Sequence, residues 1–485
     1  MRSESQPTRS DFTPSNDGRP LVVDLDGTLI KSDLLVEAVF KRIGAKPFAA
    51  VGLLAALRRG KAHFKHVLAQ AVNLDPASLP YDQVILGRIR EAVAAGRPVY
   101  LASASNAQFV SAVAEHLGFF TGWFGSDAIT NVAGSNKARL LVEAFGDGGF
   151  DYIGNDEADL HIWAVASKGM AVRPPSRIQA KLVAAGIEII ESEKQKLKSW
   201  IKLFRVHQYV KNTLVFLPLL TAQRLDPASI FDSVLAFLAF SLCASSVYIF
   251  NDLVDLAADR DHPTKCNRPL ASGAISIIHA ALAIPILLVV AMALAAFASL
   301  PFLAVMIFYF ALTTTYTCWL KTKMLIDVVV LAMLYTLRAI GGAAAIGVPV
   351  SEWLLAFSMF IFTSLALIKR YVELTTRLDA AKCDPSNRNY RLADMPIVAS
   401  CAAAAGFNAV TVFALYISSD TVHQLYHHPK ALWLVCPVLM YWIARMLMMA
   451  HRRQMHDDPI VFAAKDPPSL WAVAAIGAIM LAAAA

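Results

Sequence analysis

Two clusters of carboxylates stand out by residue type and spacing. In Asn251-Asp252-Leu-Val-Asp255-Leu-Ala-Ala-Asp259, positions 251, 255 and 259 are four apart. A helix would line them on one face, with Asp252 beside them. Carboxylates on one stripe repel each other unless a cation lies between them. Oxygen-only ligands select a hard ion, and Mg²⁺ takes one or two carboxylates plus the oxygens of a substrate phosphate. The second cluster is Leu21-Val22-Val23-Asp24-Leu25-Asp26-Gly27-Thr28, an apolar strand that ends in two acids and a glycine turn. Alternation sends Asp24 and Asp26 the same way, at the strand end where open α/β sheets bind ligands.

The elements that carry these clusters differ. The chain is 56% hydrophobic, with mean hydropathy +0.50, well above a soluble domain. The excess is uneven: residues 1 to about 195 read as soluble, and the remainder as apolar spans with short polar joints. Segments of spanning length fall near 209–222, 229–250, 275–296, 300–320, 324–346, 353–369, 396–417, 431–450 and 468–485, so an all-α bundle of about nine helices is expected. The apolar run Ser233–Phe250 leads straight into Asn251, and charge at such a boundary is functional by default. The joints after the second, fourth, sixth and eighth spans carry the basic residues, among them Lys265, Arg268, Lys321, Lys369, Arg370, Arg388 and Arg452. The positive-inside rule puts them, and the N-terminal half, on the cytoplasmic side of an inner membrane. Met1–Pro20 lacks the apolar core of a signal peptide. The net charge of +7 needs no nucleic acid, because basic loops beside anionic lipid account for it. The six cysteines have neither disulfide nor metal spacing. No internal repeat is visible.

The Asn-Asp-x-x-Asp-x-x-x-Asp string after the second span, among about nine helices, resembles the UbiA superfamily of intramembrane transferases. Further strings resemble its decaprenyl-phosphate phosphoribosyltransferase branch. They are Asp261-His262-Pro263-x-Lys265-x-x-Arg268-Pro269, Tyr316-x-x-x-Leu320-Lys321, Leu337-Arg338-Ala-x-Gly341-Gly342, Lys369-Arg370-Tyr371-x-Glu373, Arg388-Asn-Tyr390 with Asp394, and His456-Asp457-Asp458-Pro459. The similarity covers roughly 198–485. It implies Mg²⁺ on the leaving diphosphate, held by Asp252, Asp255 and Asp259 with Asn251. It also implies a substrate-binding set of Lys211, Asn212, Lys265, Arg268, Tyr316, Lys321, Arg338, Lys369, Arg370 and Glu373. Prenyltransferases of the superfamily repeat an Asp-rich cluster after the sixth span, where this chain has Lys369-Arg370-Tyr371-Val-Glu373. Cations there suit phosphoribosyl diphosphate, which brings an extra 5-phosphate, and a polyprenyl phosphate acceptor. Ordinary positive-inside charge is the plain alternative for Lys369 and Arg370. Arg338, inside a span, needs a partner.

The strand ending in Asp24 and Asp26 is similar to the first motif of haloacid dehalogenase-type phosphatases. The others follow in order: Pro98–Ser103, a strand ending in a hydroxyl; Lys137; and Phe150–Asp159, a strand ending in acids. The resemblance implies Asp24 as nucleophile and Asp26 as general acid/base. Ser103 and Lys137 would hold the phosphoryl group, and Asp24, Asp26, Asn155, Asp156 and Asp159 the Mg²⁺ region. The family usually has Gly-Asp where this chain has Gly154-Asn155. Residues 1–19 read as a disordered lead, 20–195 as a Rossmann-like haloacid dehalogenase domain with a helical cap near 34–92, and 198–485 as the transferase. In the cap, Pro47–Leu57 followed by Arg58-Arg59-Gly-Lys61 suits either a membrane surface or a buried helix.

The two halves together suggest transfer of 5-phosphoribose to a polyprenyl phosphate, followed by removal of the 5-phosphate. A UbiA-type aromatic prenyltransferase, or a transferase with a non-catalytic regulatory or assembly module, are the alternatives. The oligomeric state is left open, a homo-oligomer included.

Overall fold

The computed structural model describes residues 18–46, 49–190, 197–262, 264–379, 389–419, 422, 426–455 and 458–484. The join expected near 191–196 therefore lies outside the described residues, as do Pro263, Arg388, His456 and Asp457. So does nearly all of the expected disordered lead. The chain forms two compact units, one of residues up to Phe204 with Tyr248–Ile284, the other of Arg205–Val247 with Pro285–Ala485.

The first unit is built on six parallel strands: β1 Leu21–Val23, β2 Val99–Asn106, β3 Gly122–Ser126, β4 Asp151–Gly154, β5 Lys168–Val172 and β6 Glu188–Ile190. Their order is β3-β2-β1-β4-β5-β6. Strands covered on both faces read as unbroken apolar runs. Leu21, Val23, Val99, Leu101 and Ile153 enter one apolar cluster. Val22, Tyr100, Ala102, Tyr152 and Ala171 enter the other. Between β1 and β2 come four α-helices, the first three being α1 Leu34–Ala45, α2 Ala49–Arg58 and α3 Lys61–Ala71. Leu34, Ala38, Leu53, Leu68 and Ala69 join the first cluster, so these helices sit on the strand core. In α2, Leu53 and Ala56 are buried and Leu57 is exposed. Helix Gln83–Ala94 buries Ile85, Leu86 and Ile89 in the same cluster.

In the other unit and its joining helices, eight helices among the described residues are long and apolar enough to cross a membrane, from Pro227–Val254 to Pro467–Ala484. They cover eight of the expected spans. The expected span at 209–222 is instead a 3₁₀ helix, Val206–Phe216, followed by a short α-helix, Leu217–Thr221. Pro218 lacks an amide donor, and Lys211 and Asn212 turn inward to polar partners, so this run neither needs nor sustains a spanning helix. Close helix packing explains the paired glycines: a Cβ on Gly342 would lie 2.1 Å from the Val215 carbonyl oxygen. Helix Ile277–Ala298 leaves Ile286, Val289 and Phe297 exposed, as a lipid-facing surface does.

Candidate functional site

The chain leaves β1 toward β2 on one side of the sheet and returns to β4 on the other. The carboxyl ends of β1 and β4 therefore flank the switch point where open α/β sheets bind ligands. Asp24 is buried there, and the Lys137 ammonium donates to it at 2.7 Å. Lys137 also donates to the Tyr152 hydroxyl at 2.8 Å, and Tyr152 donates onward to Asp159 at 2.7 Å. Thr28 lies 3.2 Å from both Asp24 and the Asn155 side-chain oxygen. Asp26 has different company: the hydroxyls of Ser103 and Ser105 donate to one oxygen at 2.8 and 2.7 Å. The amide of Leu34, at the start of α1, donates to the other at 2.8 Å. Gly27 makes the turn that follows Asp26, at φ +76°, and a Cβ there would strike Asn155 at 2.2 Å. Arg173 pins the same turn by donating to the Gly27 carbonyl at 2.8 Å. Asp159 is buried and accepts from the amides of Asn155 and Asp156. Asp156 is exposed, and its carboxylate accepts from the amide of Glu157.

Burial pushes the Asp24 carboxyl up to about 7 against the opposing pull of Lys137. For Lys137, burial works to lower the pKa, but Asp24, Asp159 and Asp26 together raise it above the ordinary lysine value. Asp33, the N-cap of α1, is likewise raised to about 7, by burial and by Asp26. The two acids of this strand end thus have unlike environments, one on an ammonium and one on neutral donors. That is the condition for separate nucleophilic and proton-transfer roles.

The second cluster stands at the end of helix Pro227–Val254. The amide of Asp255 donates to the Asn251 carbonyl at 2.9 Å, and that of Asp259 to Asp255 at 2.8 Å, so the four-residue spacing does follow helical turns. The carboxylates that converge, however, are Asp252 and Asp259. Both accept from one nitrogen of Arg268, at 3.0 and 2.6 Å, and their side chains are 4% exposed. Asn251 and Asp255 are half-buried beside them, and Lys265 is exposed.

In the second unit the basic residues divide into two kinds. Lys211 and Lys369 both donate to Asp458, at 2.8 and 3.0 Å, with the Tyr335 hydroxyl 3.4 Å away. The Lys369 side chain remains 31% exposed. Arg370 is instead enclosed, paired with Asp327 at 2.7 Å and with Glu373, and 3.3 Å from the Tyr316 hydroxyl. Tyr390 donates to the same Asp327 at 2.7 Å. The partner required by Arg338 is neutral: it donates to the Asn212 side chain at 2.8 Å and to the Tyr309 hydroxyl at 2.9 Å, and lies over the Tyr309 and Tyr335 rings. Lys321 is half-exposed in a short turn, Leu320–Thr322.

Among the described residues, no three His, Cys, Asp or Glu side chains form a ready metal cage. The donor sets still suit Mg²⁺, which needs only one or two carboxylates when phosphate oxygens complete its shell. At the helix end, two buried acids drawn onto one guanidinium nitrogen already define a place for a cation. At the strand end, Asp24 and the Asn155 oxygen flank the Thr28 hydroxyl. Tyr152, Ser105, Asp33 and Asp327 did not stand out in the sequence. Each is a common residue in an apolar or loop context, and only the packing gives it a charged neighbour.

An α/β domain carrying acids at its strand ends, followed by many apolar helices with buried charge, defines a multi-pass membrane protein. The chain belongs to the UbiA prenyltransferase family, whose sequence profile it matches over residues 213–465. It is 36% identical to Uncharacterized protein y4nM of Sinorhizobium fredii, over 94% of this chain and 89% of that one. It is also 36% identical to Nodulation protein NoeC of Azorhizobium caulinodans, over 57% of this chain and 91% of that one. Decaprenyl-phosphate phosphoribosyltransferase of Mycobacterium tuberculosis is 37% identical over 36% of this chain, which spans 59% of that relative's length.

Proposed function

We propose that the chain transfers 5-phosphoribose from phosphoribosyl diphosphate to a polyprenyl phosphate, and that its N-terminal domain then hydrolyses the 5-phosphate. The observation that carries the transferase half is the pair Lys211 and Lys369 on buried Asp458. A cationic centre on this scaffold suits a donor with one phosphate more than a prenyl diphosphate has. The relatives named for decaprenyl-phosphate phosphoribosyl transfer support the same reading.

The lipid phosphate is ionised near neutral pH, so attack on the ribose needs no general base. Asp252 and Asp259, with Asn251 and Asp255, would hold Mg²⁺, which supplies charge neutralisation on the departing diphosphate. Lys211 and Lys369 orient a phosphate oxygen, and alignment of acceptor and donor provides the rest. Arg338 and Arg370, whose polar atoms are engaged within the bundle, position the helices that carry these groups.

The N-terminal domain, residues 20–195, acts as a haloacid dehalogenase-type phosphatase. Asp24 attacks the phosphorus of the 5-phosphate and forms an aspartyl phosphate, while Asp26 protonates the leaving 5-oxygen. Asp26 then takes a proton from the water that releases inorganic phosphate. Ser103 and Lys137 hold the phosphoryl oxygens, and Asn155 and Asp159 shape the metal side. The domain and the charged joints of the transferase, residues 198–485, face the cytoplasm of an inner membrane.

Purified protein with Mg²⁺, labelled phosphoribosyl diphosphate and a polyprenyl phosphate should give a ribosylated lipid, detected by mass. The family's own description, a prenyltransferase, favours one rival, transfer of a prenyl group, for which an aromatic compound would be the acceptor. Turnover of a prenyl diphosphate with 4-hydroxybenzoate, and none with phosphoribosyl diphosphate, would decide for that rival.

A further inference from the structure

Helix α1 and the acidic helix end belong to one compact unit, and they meet through charge. Glu37, in the first turn of α1, forms a two-point ion pair with Arg260 at 2.7 and 3.0 Å. Each side chain is only 6% exposed. The Ser32 hydroxyl also donates to Glu37, and Arg260 donates through Nε to the Ala271 carbonyl at 3.3 Å. Packing around the pair is close. Phe40 meets Phe250 edge-on at 5.9 Å, a Cβ on Gly44 would lie 2.4 Å from Val254, and one on Gly273 would lie 2.5 Å from Lys31. The two terminal nitrogens of the Arg260 guanidinium are therefore committed to Glu37 of the N-terminal domain.

Its place in the chain makes that commitment matter. Arg260 directly follows Asp259 in the short helix Leu256–Arg260, and Asp259 already shares Arg268 with Asp252. A buried guanidinium deprived of its carboxylate does not stay unpaired. It turns to other anions within reach, and Asp259 is its immediate neighbour in the chain.

We propose that Glu37 is a positioning residue of the transferase, holding the Arg260 guanidinium off the carboxylates that bind the metal. The inference rests on the proposed metal role of Asp252 and Asp259. It makes the N-terminal domain a working part of the transferase, independent of any phosphatase chemistry. With Glu37 in place, Arg260 is neutralised from the domain side and the acidic cluster keeps its charge for a cation. Without it, Arg260 becomes an internal competitor of Mg²⁺.

The test uses the full chain in lipid nanodiscs and two readings: Mn²⁺ binding followed by electron paramagnetic resonance, and the Mg²⁺ concentration that half-saturates transfer. The difference in Mn²⁺ binding between wild type and Asp252→Asn identifies the site. Glu37→Gln should raise both metal concentrations about tenfold or more, because the freed arginine competes for the same carboxylates. Saturating Mg²⁺ should restore most of the rate. The double variant Glu37→Gln/Arg260→Gln removes the competitor with its partner and should return both readings toward wild type. If Glu37 merely held the fold together, losing the second charge would help nothing and excess Mg²⁺ would rescue nothing. Wild-type metal binding in Glu37→Gln, or a double variant as impaired as the single, overturns the inference. Equal Mn²⁺ binding by wild type and Asp252→Asn overturns the metal assignment itself, and this inference with it.

Discussion

Both acidic sites of the first unit combine carboxylates with one basic side chain, yet they arrange them oppositely. At the strand end, Asp24 and Asp26 are two residues apart and each has its own partners: an ammonium for one, two hydroxyls and an amide for the other. At the helix end, Asp252 and Asp259 are two turns apart and share a single guanidinium nitrogen. A strand end separates its acids into distinct environments and so into distinct chemical roles. A helix end stacks its acids over one point and makes them equivalent, as a cation-holding pair requires.

The largest effect expected from this contrast is at Asp24. Asp24→Asn keeps the shape but removes the nucleophile, so 5-phosphate hydrolysis should fall by about four orders of magnitude or more. Transfer should continue, and the lipid product should accumulate heavier by one phosphate than the wild-type product. Identical product masses from the two proteins would break the assignment of separate chemistry to the strand end.

Equivalence at the helix end predicts matched losses. Asp252→Asn and Asp259→Asn should each lower transfer by about two to three orders of magnitude, the usual scale for losing a preorganised electrostatic contact in the transition state. Phosphatase activity on a soluble phosphate ester should persist in both. A variant pair differing by more than about tenfold would mean that one acid alone carries the function.

Lys369→Met addresses the cationic centre of the second unit. It should raise the KM for phosphoribosyl diphosphate about tenfold to a hundredfold, the scale of one charge-assisted hydrogen bond, with a smaller change in kcat. An unchanged KM would reduce Lys369 to ordinary positive-inside charge.

The pH response tests Asp24 directly. Burial raises Asp24 to about 7, and only its ionised form is nucleophilic. Hydrolysis should therefore fall about tenfold per unit as pH drops below about 7. A cation beside the carboxylate favours the charged form, so more Mg²⁺ should move the midpoint to lower pH. Rate profiles at low and high Mg²⁺ check both the slope and the direction of movement. The smallest effect belongs to Asn155→Asp, which should lower the Mg²⁺ needed for hydrolysis a few-fold by adding an anionic ligand beside Thr28. No gain would show that the side-chain oxygen of Asn155 does not face the metal.

Much of this architecture was legible before any coordinates. Val22 and Tyr100 lie in apolar runs that become β1 and β2, and the Asp24–Asp26 spacing alone put two acids at one strand end. Eight of the expected spans became long helices because unbroken apolar stretches of that length have few other stable forms. The 209–222 segment shows where such reading stops. Its hydropathy resembles a span, but Pro218 and the inward turn of Lys211 and Asn212 outweigh it. Hydropathy does not report that Asp458, 247 residues away from Lys211, provides the compensating charge.

The sequence by itself determined the periodic features: which segments alternate like strands, which are long enough to cross a membrane, and which acids stand a helical turn apart. These depend on neighbours within a few residues, where backbone geometry sets direction. Only the tertiary structure decided which charges meet. It drew Asp252 and Asp259 together through Arg268, enclosed Arg370 with Asp327 while leaving Lys369 partly open, and seated Arg260 on Glu37, 223 residues away. A buried charge must be matched by another, but the match depends on how elements pack, and no local pattern of residues encodes it.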